Sequence, residues 1–338
     1  MKLLYTADLH LTSKPLDQYR FQAVQWIAKE AKKRRVDEIW ILGDLTEEHD
    51  RHAGAFVSRV VRALTELAAS APVFIVKGNH DYADPDNPFF KFLSLSDTIS
   101  FYTEFRHINY EHEHFVVWPH GKQMHEQVAE FDLKHTTLLT HASFQGGVAE
   151  NGHEMEGIDP KVVAGMRQVW SGHLHVPQEV GKVRYVGSPY PTIFTETPHE
   201  HSIVVETFTG PHKSTVEVVP VPSLAKRMLK VSSIDQLQKA ALHEGDQVRV
   251  ELALPRAEFI HWDEHRAAAR KVLDASGVVV CGVSVVEKKL RRRLKLGEVP
   301  TASTSRTRTE ILTDYCKAFS LGDELKEVGL ALVKTERS

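Results

Sequence analysis

The chain has 338 residues, of which 42% are hydrophobic and 26% are charged, a composition typical of a globular protein and not of a disordered or collagen-like one. No apolar run approaches the roughly 18 residues that a membrane span needs, and the N-terminus has no long apolar signal segment. The two cysteines, Cys281 and Cys316, are too few for a disulfide framework. We therefore expect a cytoplasmic protein that does not associate with membranes.

Histidine and charge are unevenly distributed along the chain. Of the 20 histidines, 17 precede residue 223. From residue 223 onward, 21 Lys and Arg face 16 Asp and Glu, a net charge of +5, whereas the first 222 residues carry a net charge of −8. This asymmetry predicts a metal site in the first part of the chain and a surface for a polyanion or a partner protein in the second.

Short apolar runs alternate with helical periodicity in the first 80 residues. Strands are predicted at 2–7, 38–42 and 72–76, and helices at 18–35 and 52–69. This order predicts a parallel sheet with helices on its faces. Strand-like runs follow at 106–119, 136–140, 168–171, 182–187, 202–207 and 215–221, which together suit a two-sheet α/β sandwich.

The stretch 219–223 contains two prolines and predicts a domain boundary, so residues 1–222 form the first predicted domain. Residues 223–287 then predict a small α/β domain, with strands at 228–231, 247–254 and 278–286 and helices near 234–242 and 263–276. Residues 288–308 are basic and predict a connector, either simply solvated or in contact with phosphates. Residues 309–338 predict an amphipathic helical segment that packs on the chain itself or in a groove of another protein.

Five short motifs each follow a predicted strand. They are Asp8-Leu9-His10, Gly43-Asp44, Gly78-Asn79-His80-Asp81, Thr140-His141 and Gly172-His173-Leu174-His175. Any one of them alone is more often a turn or a surface pair than a site. Because ligands of an α/β sheet collect beyond the carboxyl ends of its strands, all five in this order are expected to converge on one edge, with the glycines allowing sharp turns.

The side chains of these motifs offer oxygen and imidazole ligands and no thiolate. The candidate ligands are Asp8, His10, Asp44, Asn79, His141, His173 and His175. Such a set suits manganese, iron or zinc, and it is too large for one tetrahedral ion. We therefore expect two divalent ions sharing one carboxylate, with manganese as the first choice and iron, zinc or magnesium as alternatives. Two such ions catalyse displacement at phosphorus through a hydroxide bound to them.

Together, the five motifs resemble those of the calcineurin-like metallophosphoesterase superfamily over residues 1–222. The resemblance implies an α/β fold, a four-layer αββα sandwich, with a smaller C-terminal α/β capping domain and a helical tail. It implies that Asp44 bridges the ions, one of which binds Asp8, His10 and His175 and the other Asn79, His141 and His173. It also gives His80 the role of stabilising the transition state or protonating the leaving oxygen, with Asp81 orienting His80.

Within that superfamily, the start MKLLYTADLHL resembles the SbcD-like (Mre-type) DNA repair nucleases, as do the turn Gly187-Ser188-Pro189 and the α/β module after residue 222. The resemblance implies a dimeric exonuclease or endonuclease that acts on DNA with an SbcC-like coiled-coil ATPase docked on the C-terminal helical segment. One position departs from it, since many such nucleases carry a histidine where this chain has Glu47. A phosphodiesterase or phosphomonoesterase for small substrates and a DNA-binding subunit with little activity stay open as alternatives.

Overall fold

The structure, a computed structural model, describes residues 1–110, 112–121, 136–194 and 200–287. The predicted connector at 288–308 and the predicted helical segment at 309–338 lie outside these residues.

The first 110 residues alternate strands and helices close to the predicted bounds. The elements are β1 (Lys2–Thr6), α1 (Gln18–Arg34), β2 (Glu38–Leu42), α2 (Gly54–Ala68), β3 (Val73–Val76), β4 (Ile99–Tyr102) and β5 (Arg106–Asn109), with 3-10 helices at Pro15–Asp17, Asn79–Asp81 and Phe89–Leu95. Helix α1 ends in three basic residues, which suit the negative end of the helix dipole, and Arg35 follows in the left-handed conformation. Strand β4 was not predicted, because its four residues are too few to show a clear period.

The remaining elements of the body are short strands. They are β6 (His114–Trp118), β7 (Thr136–His141), β8 (Gln168–Gly172), β9 (Gln178–Val180), β10 (Val183–Tyr185), β11 (Ser202–Gly210) and β12 (Lys213–Pro220), with a 3-10 helix at Pro160–Val163. The single strand predicted over 106–119 is instead the antiparallel pair β5 and β6. The Tyr110 N–H donates to the Glu113 carbonyl across the turn between them.

Two six-stranded sheets contain all twelve of these strands. Their orders are β12-β11-β1-β2-β3-β4 and β5-β6-β7-β8-β10-β9. Strands β1 to β4 are parallel to one another, and so are β6, β7 and β8. The loops after β1, β2 and β3 therefore leave one edge of the first sheet, and those after β7 and β8 leave one edge of the second.

Alternation along the strands divides the apolar side chains between layers. In β1, Leu3 and Tyr5 belong to the cluster shared by the two sheets, whereas Leu4 packs with α1 and α2. Leu139 and Trp170 of the second sheet face the same central layer, and a third cluster covers the other face of that sheet. The mixed α/β sandwich predicted from the sequence is confirmed.

A third, smaller sheet follows the body, and we call residues 226–287 the C-terminal α/β unit. Its elements are β13 (Lys226–Val231), α3 (Ile234–Gln238), β14 (Gln247–Leu254), α4 (Arg256–Phe259), α5 (Trp262–Ala275) and β15 (Val279–Glu287). The three strands are parallel in the order β13-β14-β15 and share a core with Leu237 and Leu273. The domain boundary at residue 222 stays a prediction. Within the described ranges, no helix combines the length and apolarity needed to cross a membrane.

Candidate metal centre

The loops that carry the motifs are hydrogen-bonded to one another. The N–H of Asp8 donates to the Gly43 carbonyl at 3.1 Å, and the N–H of His10 donates to the Asp44 carbonyl at 2.9 Å. The N–H of His173, in the loop after β8, donates to Asp8 Oδ1 at 2.9 Å. The expected convergence of the strand ends is thus present across both sheets.

The backbone is strained where predicted ligands lie. Six non-glycine residues in the described ranges have positive φ, and four of them are Asp8, His10, Asp44 and His173, with φ between 40° and 88°. Such conformations are uncommon for residues with a side chain and concentrate at functional sites. They turn four side chains toward one place, a property that no sequence period reveals.

Two glycines are required by the close approach of the loops. Gly43 has φ of 88°, and a Cβ atom there would overlap the ring of His141. A Cβ atom at Gly78 would overlap Asp44 in both its carboxylate and its main chain. Only glycine permits this packing.

Asp44 lies between two groups of imidazole nitrogens. Its Oδ2 is 3.4 Å from His10 Nε2 and 3.3 Å from His141 Nε2. On the first side, His10 Nε2 is 3.1 Å from His175 Nε2, so two ring nitrogens face each other beside the carboxylate. Asp44 therefore occupies the position of a carboxylate that two ions could share.

The second group is arranged around an amide oxygen. Asn79 Oδ1 lies 2.9 Å from His141 Nε2 and 2.8 Å from His173 Nδ1. The other nitrogen of His141, Nδ1, is 2.8 Å from the Leu42 carbonyl and donates to it, so Nε2 is the nitrogen directed at Asn79 and Asp44. The structure thus brings all seven predicted ligands together, with His10 and His175 on one side of Asp44, Asn79, His141 and His173 on the other, and Asp8 near both groups.

The donor atoms fit divalent cations. Asp8 Oδ2 is buried and has no hydrogen-bond partner among the described residues, a situation that costs about 1–3 kcal/mol unless a cation or water supplies one. Donor atoms lie within 4.8 Å of one another in each of three sets, namely Asp8–His10–His175, Asp8–Asp44–His141 and His10–Asp44–His80. The third set includes His80, which the resemblance treats as a catalytic residue and not as a ligand.

The electrostatics of the centre favour a negative Asp44. Burial opposes the charge of Asp44, but His141 and His10 outweigh it and hold the pKa of the Asp44 carboxyl well below its usual range. In turn, Asp44 and Asp8 outweigh the effect of burial on His141 and raise its pKa to about 9. Burial and the neighbouring His141 lower the pKa of His173 to about 3, so His173 is neutral and able to bind a cation at physiological pH.

His80 is oriented by the loop after β2. Its N–H donates to Asp44 Oδ1 at 2.8 Å, and its ring Nδ1 lies 3.0 Å from the Glu47 carbonyl. The ring of His49 stacks on it, with centroids 5.2 Å apart and an interplanar angle of 8°. Since Nδ1 is occupied as a donor, Nε2 is the nitrogen of His80 available to a substrate.

Asp81 does not contact the His80 ring as the resemblance implied. Its Oδ2 accepts the N–H groups of Gly78 and Asp44, at 2.7 and 2.9 Å, and its Oδ1 accepts the N–H of Leu45 at 2.8 Å. The carboxylate is fully buried, so three main-chain donors saturate it. Burial and the nearby Asp44 raise the pKa of Asp81 to about 6. Asp81 joins the loops after β2 and β3, and the Glu47 carbonyl orients His80 instead.

The side chain of Glu47 serves a different residue from its main chain. Its Oε2 lies 2.9 Å from His10 Nδ1, and this pairing lowers the pKa of Glu47 to about 2. The carboxylate therefore contacts a predicted ligand, His10, while the carbonyl of the same residue holds His80. At the position of the departure noted in the sequence, the Glu47 side chain therefore faces His10, and His49 packs against His80.

A cavity of about 330 Å³ opens over these side chains. Besides six of the predicted site residues, its lining includes Glu47, Glu150, Met155, Thr192 and Ile193. Thr192 Oγ1 is 2.8 Å from His175 Nδ1, and Glu150 Oε1 is 3.7 Å from the same atom. Sequence reasoning missed Thr192 and Glu150, because neither belongs to a motif and both reach the cavity from irregular loops.

Comparison with known proteins gives one matching family model and several matches to solved structures at low sequence identity. The model of the calcineurin-like phosphoesterase family matches residues 1–177. An archaeal phosphodiesterase structure is 14% identical, with 65% of this chain and 100% of that chain covered and a TM-score of 0.37. The purple acid phosphatase PPD1 from yellow lupin seeds is 13% identical, with coverage of 66% and 52% and a TM-score of 0.43. A dimetal phosphatase from Danio rerio is 12% identical, with coverage of 66% and 98% and a TM-score of 0.41.

Proposed function

Because the chain belongs to the calcineurin-like phosphoesterase family, whose members hydrolyse phosphoesters with two divalent ions, we propose that it is a DNA nuclease of the SbcD type. Asp8, His10 and His175 would hold one ion, and Asn79, His141 and His173 the other, with Asp44 shared between them. Bound ions of this kind polarise the phosphoryl oxygen and activate water for attack on phosphorus.

The chain's own contribution to the reaction centres on His80. Its Nδ1 donates to the Glu47 carbonyl at 3.0 Å, which fixes the ring and leaves Nε2 to contact the phosphoryl group or the leaving oxygen. A positioned imidazole that donates a proton to a leaving group typically contributes a factor of about 10²–10⁴ in rate. Asp81 supports this geometry indirectly, through the main chain of the two loops that hold His80 and Asp44.

The observation that most supports a polymeric substrate is the position of the C-terminal α/β unit beside the cavity. Lys226 of β13 donates to the carbonyl of Thr192, a residue of the cavity wall, at 3.0 Å. A second α/β unit next to the opening gives a long substrate a surface beyond the reacting phosphate. The N-terminal sequence and the turn at Gly187 support the same assignment by their resemblance to SbcD-type nucleases.

The excess positive charge of the chain from residue 223 onward supports contacts with DNA phosphates by residues that lie outside the described ranges. The run 288–295 contains six basic residues, whereas residues 226–287 hold equal numbers of basic and acidic side chains. Basic groups that contact phosphates give binding that depends on salt and not on base sequence. We further propose that an SbcC-type ATPase binds residues 309–338 and that the nuclease works as a dimer.

A small phosphodiester is the second candidate substrate. The cavity of about 330 Å³ is near the lower end of the range of roughly 300–1,000 Å³ that small-molecule sites occupy. Glu47 and Glu150 also line it, and two extra carboxylates disfavour several neighbouring phosphates. Both the small volume and the extra carboxylates suit a small substrate with a single phosphodiester group.

One pair of assays separates the candidates. A nuclease releases nucleotides from duplex DNA in the presence of Mn²⁺, whereas a small-substrate enzyme turns over bis-p-nitrophenyl phosphate and leaves DNA intact. If the chain binds DNA but hydrolyses neither substrate, it is a DNA-binding subunit and the nuclease assignment is wrong.

Substitution of His80 tests the proposed catalytic role. His80→Ala should lower kcat for DNA by about 10²–10⁴ while leaving the amount of bound Mn²⁺ at two ions per chain, since the imidazole acts on the substrate. His114→Ala, at an exposed position on β6, is the matched control and should leave both quantities unchanged. Loss of one bound ion in His80→Ala would instead make His80 a ligand, as its closeness to His10 and Asp44 allows.

Deletion of the C-terminal segment tests the proposed partner. A chain ending at residue 304 should hydrolyse bis-p-nitrophenyl phosphate at the normal rate and should no longer co-purify with the ATPase. The full chain, prepared in parallel, provides the reference for both measurements. Loss of the basal rate in the shortened chain would place residues 305–338 in the catalytic body and contradict the proposal.

A further inference from the structure

The loop that follows β10 contacts one predicted ligand, His175, at two atoms of that histidine. The Ser188 N–H donates to the His175 carbonyl at 3.0 Å, and Thr192 Oγ1 lies 2.8 Å from His175 Nδ1. The other ring nitrogen, Nε2, faces His10 Nε2 at 3.1 Å and is the one directed into the centre. For Nε2 to present its lone pair to a cation, the ring proton must reside on Nδ1, where Thr192 Oγ1 accepts it.

Thr192 is itself held by two cationic side chains. Its carbonyl accepts from Arg20 at 3.0 Å and from Lys226 at 3.0 Å. Arg20 also donates to the carbonyl of His10, so one guanidinium contacts the main chain of a predicted ligand and that of Thr192, whose hydroxyl contacts His175. Thr192 is buried, and both its carbonyl and its hydroxyl have protein partners.

Lys226 is the contribution of the C-terminal α/β unit to this arrangement. It is the first residue of β13, and its side chain is only 6% exposed. Besides the Thr192 carbonyl, its ammonium group contacts Asp17 Oδ1 at 3.2 Å and lies 5.5 Å from the centre of the Tyr19 ring. A buried lysine whose charge is met by a carboxylate and a carbonyl is a strong anchor, since moving it would take from the buried Asp17 carboxylate one of its two cationic partners, the other being Arg20 at 3.6 Å.

We propose that Thr192 is a positioning residue for His175 and that Lys226 holds Thr192 in place, so that the seating of the C-terminal α/β unit sets the ion affinity of the His175 side of the metal centre. The link consists of two hydrogen bonds, from Lys226 to the Thr192 carbonyl and from the His175 ring to the Thr192 hydroxyl, and it ends at His175 Nε2, which faces the ion site. It rests on the metal centre proposed above.

The expected size of the change in metal affinity follows from known metal sites. Residues that hydrogen-bond the distal nitrogen of a ligating histidine typically change metal affinity by about 10–100-fold when they are removed. Loss of the Thr192 hydroxyl should fall in this range. Loss of the Lys226 ammonium acts one step further away, and its effect should have the same direction and a smaller size.

Thr192→Val and Thr192→Ser form the first matched pair. Valine preserves the shape of threonine without its hydroxyl, whereas serine keeps the hydroxyl. In calorimetric titrations of the full-length, metal-free chain with Mn²⁺, Thr192→Val should bind one of two ions about 10–100-fold more weakly, and Thr192→Ser should stay within about threefold of the wild type. Equal affinities for the valine and serine variants would overturn the role of the hydroxyl.

Lys226→Met and Lys230→Met form the second pair. Both residues are lysines of β13, but Lys230 is exposed, so the two variants share the change in net charge. Lys226→Met should weaken the same Mn²⁺ site several-fold, Lys226→Arg should restore part of the loss, and Lys230→Met should bind like the wild type. Thermal unfolding of each metal-free variant verifies that it is folded before the titration.

The outcomes separate this proposal from the one on which it rests. If the wild-type chain binds no Mn²⁺, the metal centre itself is wrong and the coupling falls with it. If the wild type binds two ions and Lys226→Met binds as tightly as Lys230→Met, only the coupling is wrong. Because the titration involves no substrate, neither result depends on whether the natural substrate is DNA.

Discussion

At the scale of single residues, the centre depends on backbone conformations that most side chains disfavour. Asp8, His10, Asp44 and His173 have positive φ, and their main-chain groups are hydrogen-bonded to the neighbouring loop or to a carboxylate. These bonds offset the conformational cost of about 1–2 kcal/mol for each such residue. The glycines next to them are needed for a different reason, because a side chain at Gly43 or Gly78 would occupy the space of a ligand.

Gly43→Ala tests this close approach. Alanine at φ of 88° costs about 1–2 kcal/mol, and its overlap with His141 adds about 1–3 kcal/mol, so the free energy of unfolding should fall by about 2–5 kcal/mol. Mn²⁺ affinity should fall as well, because His141 must move. Urea denaturation and calorimetry measure the two effects.

Gly54→Ala is the control for that substitution. Gly54 lies at the start of α2 with no atom within 4 Å of a Cβ, so alanine there should leave ion binding unchanged and raise stability by up to about 1 kcal/mol. If Gly43→Ala were as stable and as tightly metal-bound as Gly54→Ala, the packing of His141 against Gly43 would not matter.

At the scale of elements, a buried polar cluster joins the two sheets. Glu206 of β11 is fully buried and accepts from Tyr5 of β1 at 3.0 Å and from Trp170 of β8 at 3.1 Å. Arg167, just before β8, is 3.3 Å from the same carboxylate. Tyr5 and Trp170 also stack, with ring centroids 5.1 Å apart. This cluster fixes how β1 faces β8, the two strands whose ends carry Asp8 and His173.

Glu206→Ala should destabilise the chain strongly. It removes the acceptor of two buried donors, Tyr5 and Trp170, and one partner of the largely buried cation Arg167, for which losses of about 3–5 kcal/mol are typical. Glu217→Ala, on the neighbouring strand β12, removes an exposed partner of Arg34 and should cost less than about 1 kcal/mol. Chemical denaturation of both variants measures the difference, and equal losses would show that the buried cluster contributes no more than a surface pair.

At the scale of the whole molecule, the metal centre lies where the two sheets meet. Asp8, Asp44 and Asn79 follow strands of the first sheet, whereas His141 and His173 belong to the second. Ions bound to both groups would link the sheets at an edge where the buried Asp8 Oδ2 has no hydrogen-bond partner among the described residues. Ion binding should therefore stabilise the folded chain as a whole.

Removal and return of the metal test this link. Mn²⁺ at about 100 times its dissociation constant should stabilise the fold by about 2.7 kcal/mol per site and raise Tm by roughly 5 °C or more, and a chelator should reverse the shift. Asp44→Asn should show a much smaller rise, because the shared carboxylate is lost. A Tm that is unchanged by Mn²⁺ in the wild-type chain would argue against ion binding by these residues.

The sequence by itself determined which residues could form the centre and how the sheets begin. Apolar period and breaks at Gly43 and Gly78 were enough to place β1, α1, β2, α2 and β3 within one or two residues, because these elements follow local periodicity. The five motifs identified the seven candidate ligands, since each follows a strand end and parallel strands bring such ends together. The short strands β4 and β9 and the split of 106–119 carried too weak a period to predict.

Only the tertiary structure decided which supporting residue contacts which residue of the candidate site. Asp81 binds main-chain N–H groups in place of the His80 ring, the Glu47 carboxylate faces His10, and Thr192 reaches His175 from a loop 17 residues further along the chain. None of these contacts is local, and none follows from residue type, since a carboxylate or hydroxyl takes whichever donor the packed loops bring within about 3 Å. Residue identity limits the chemistry, but the three-dimensional meeting of separate loops selects the partners.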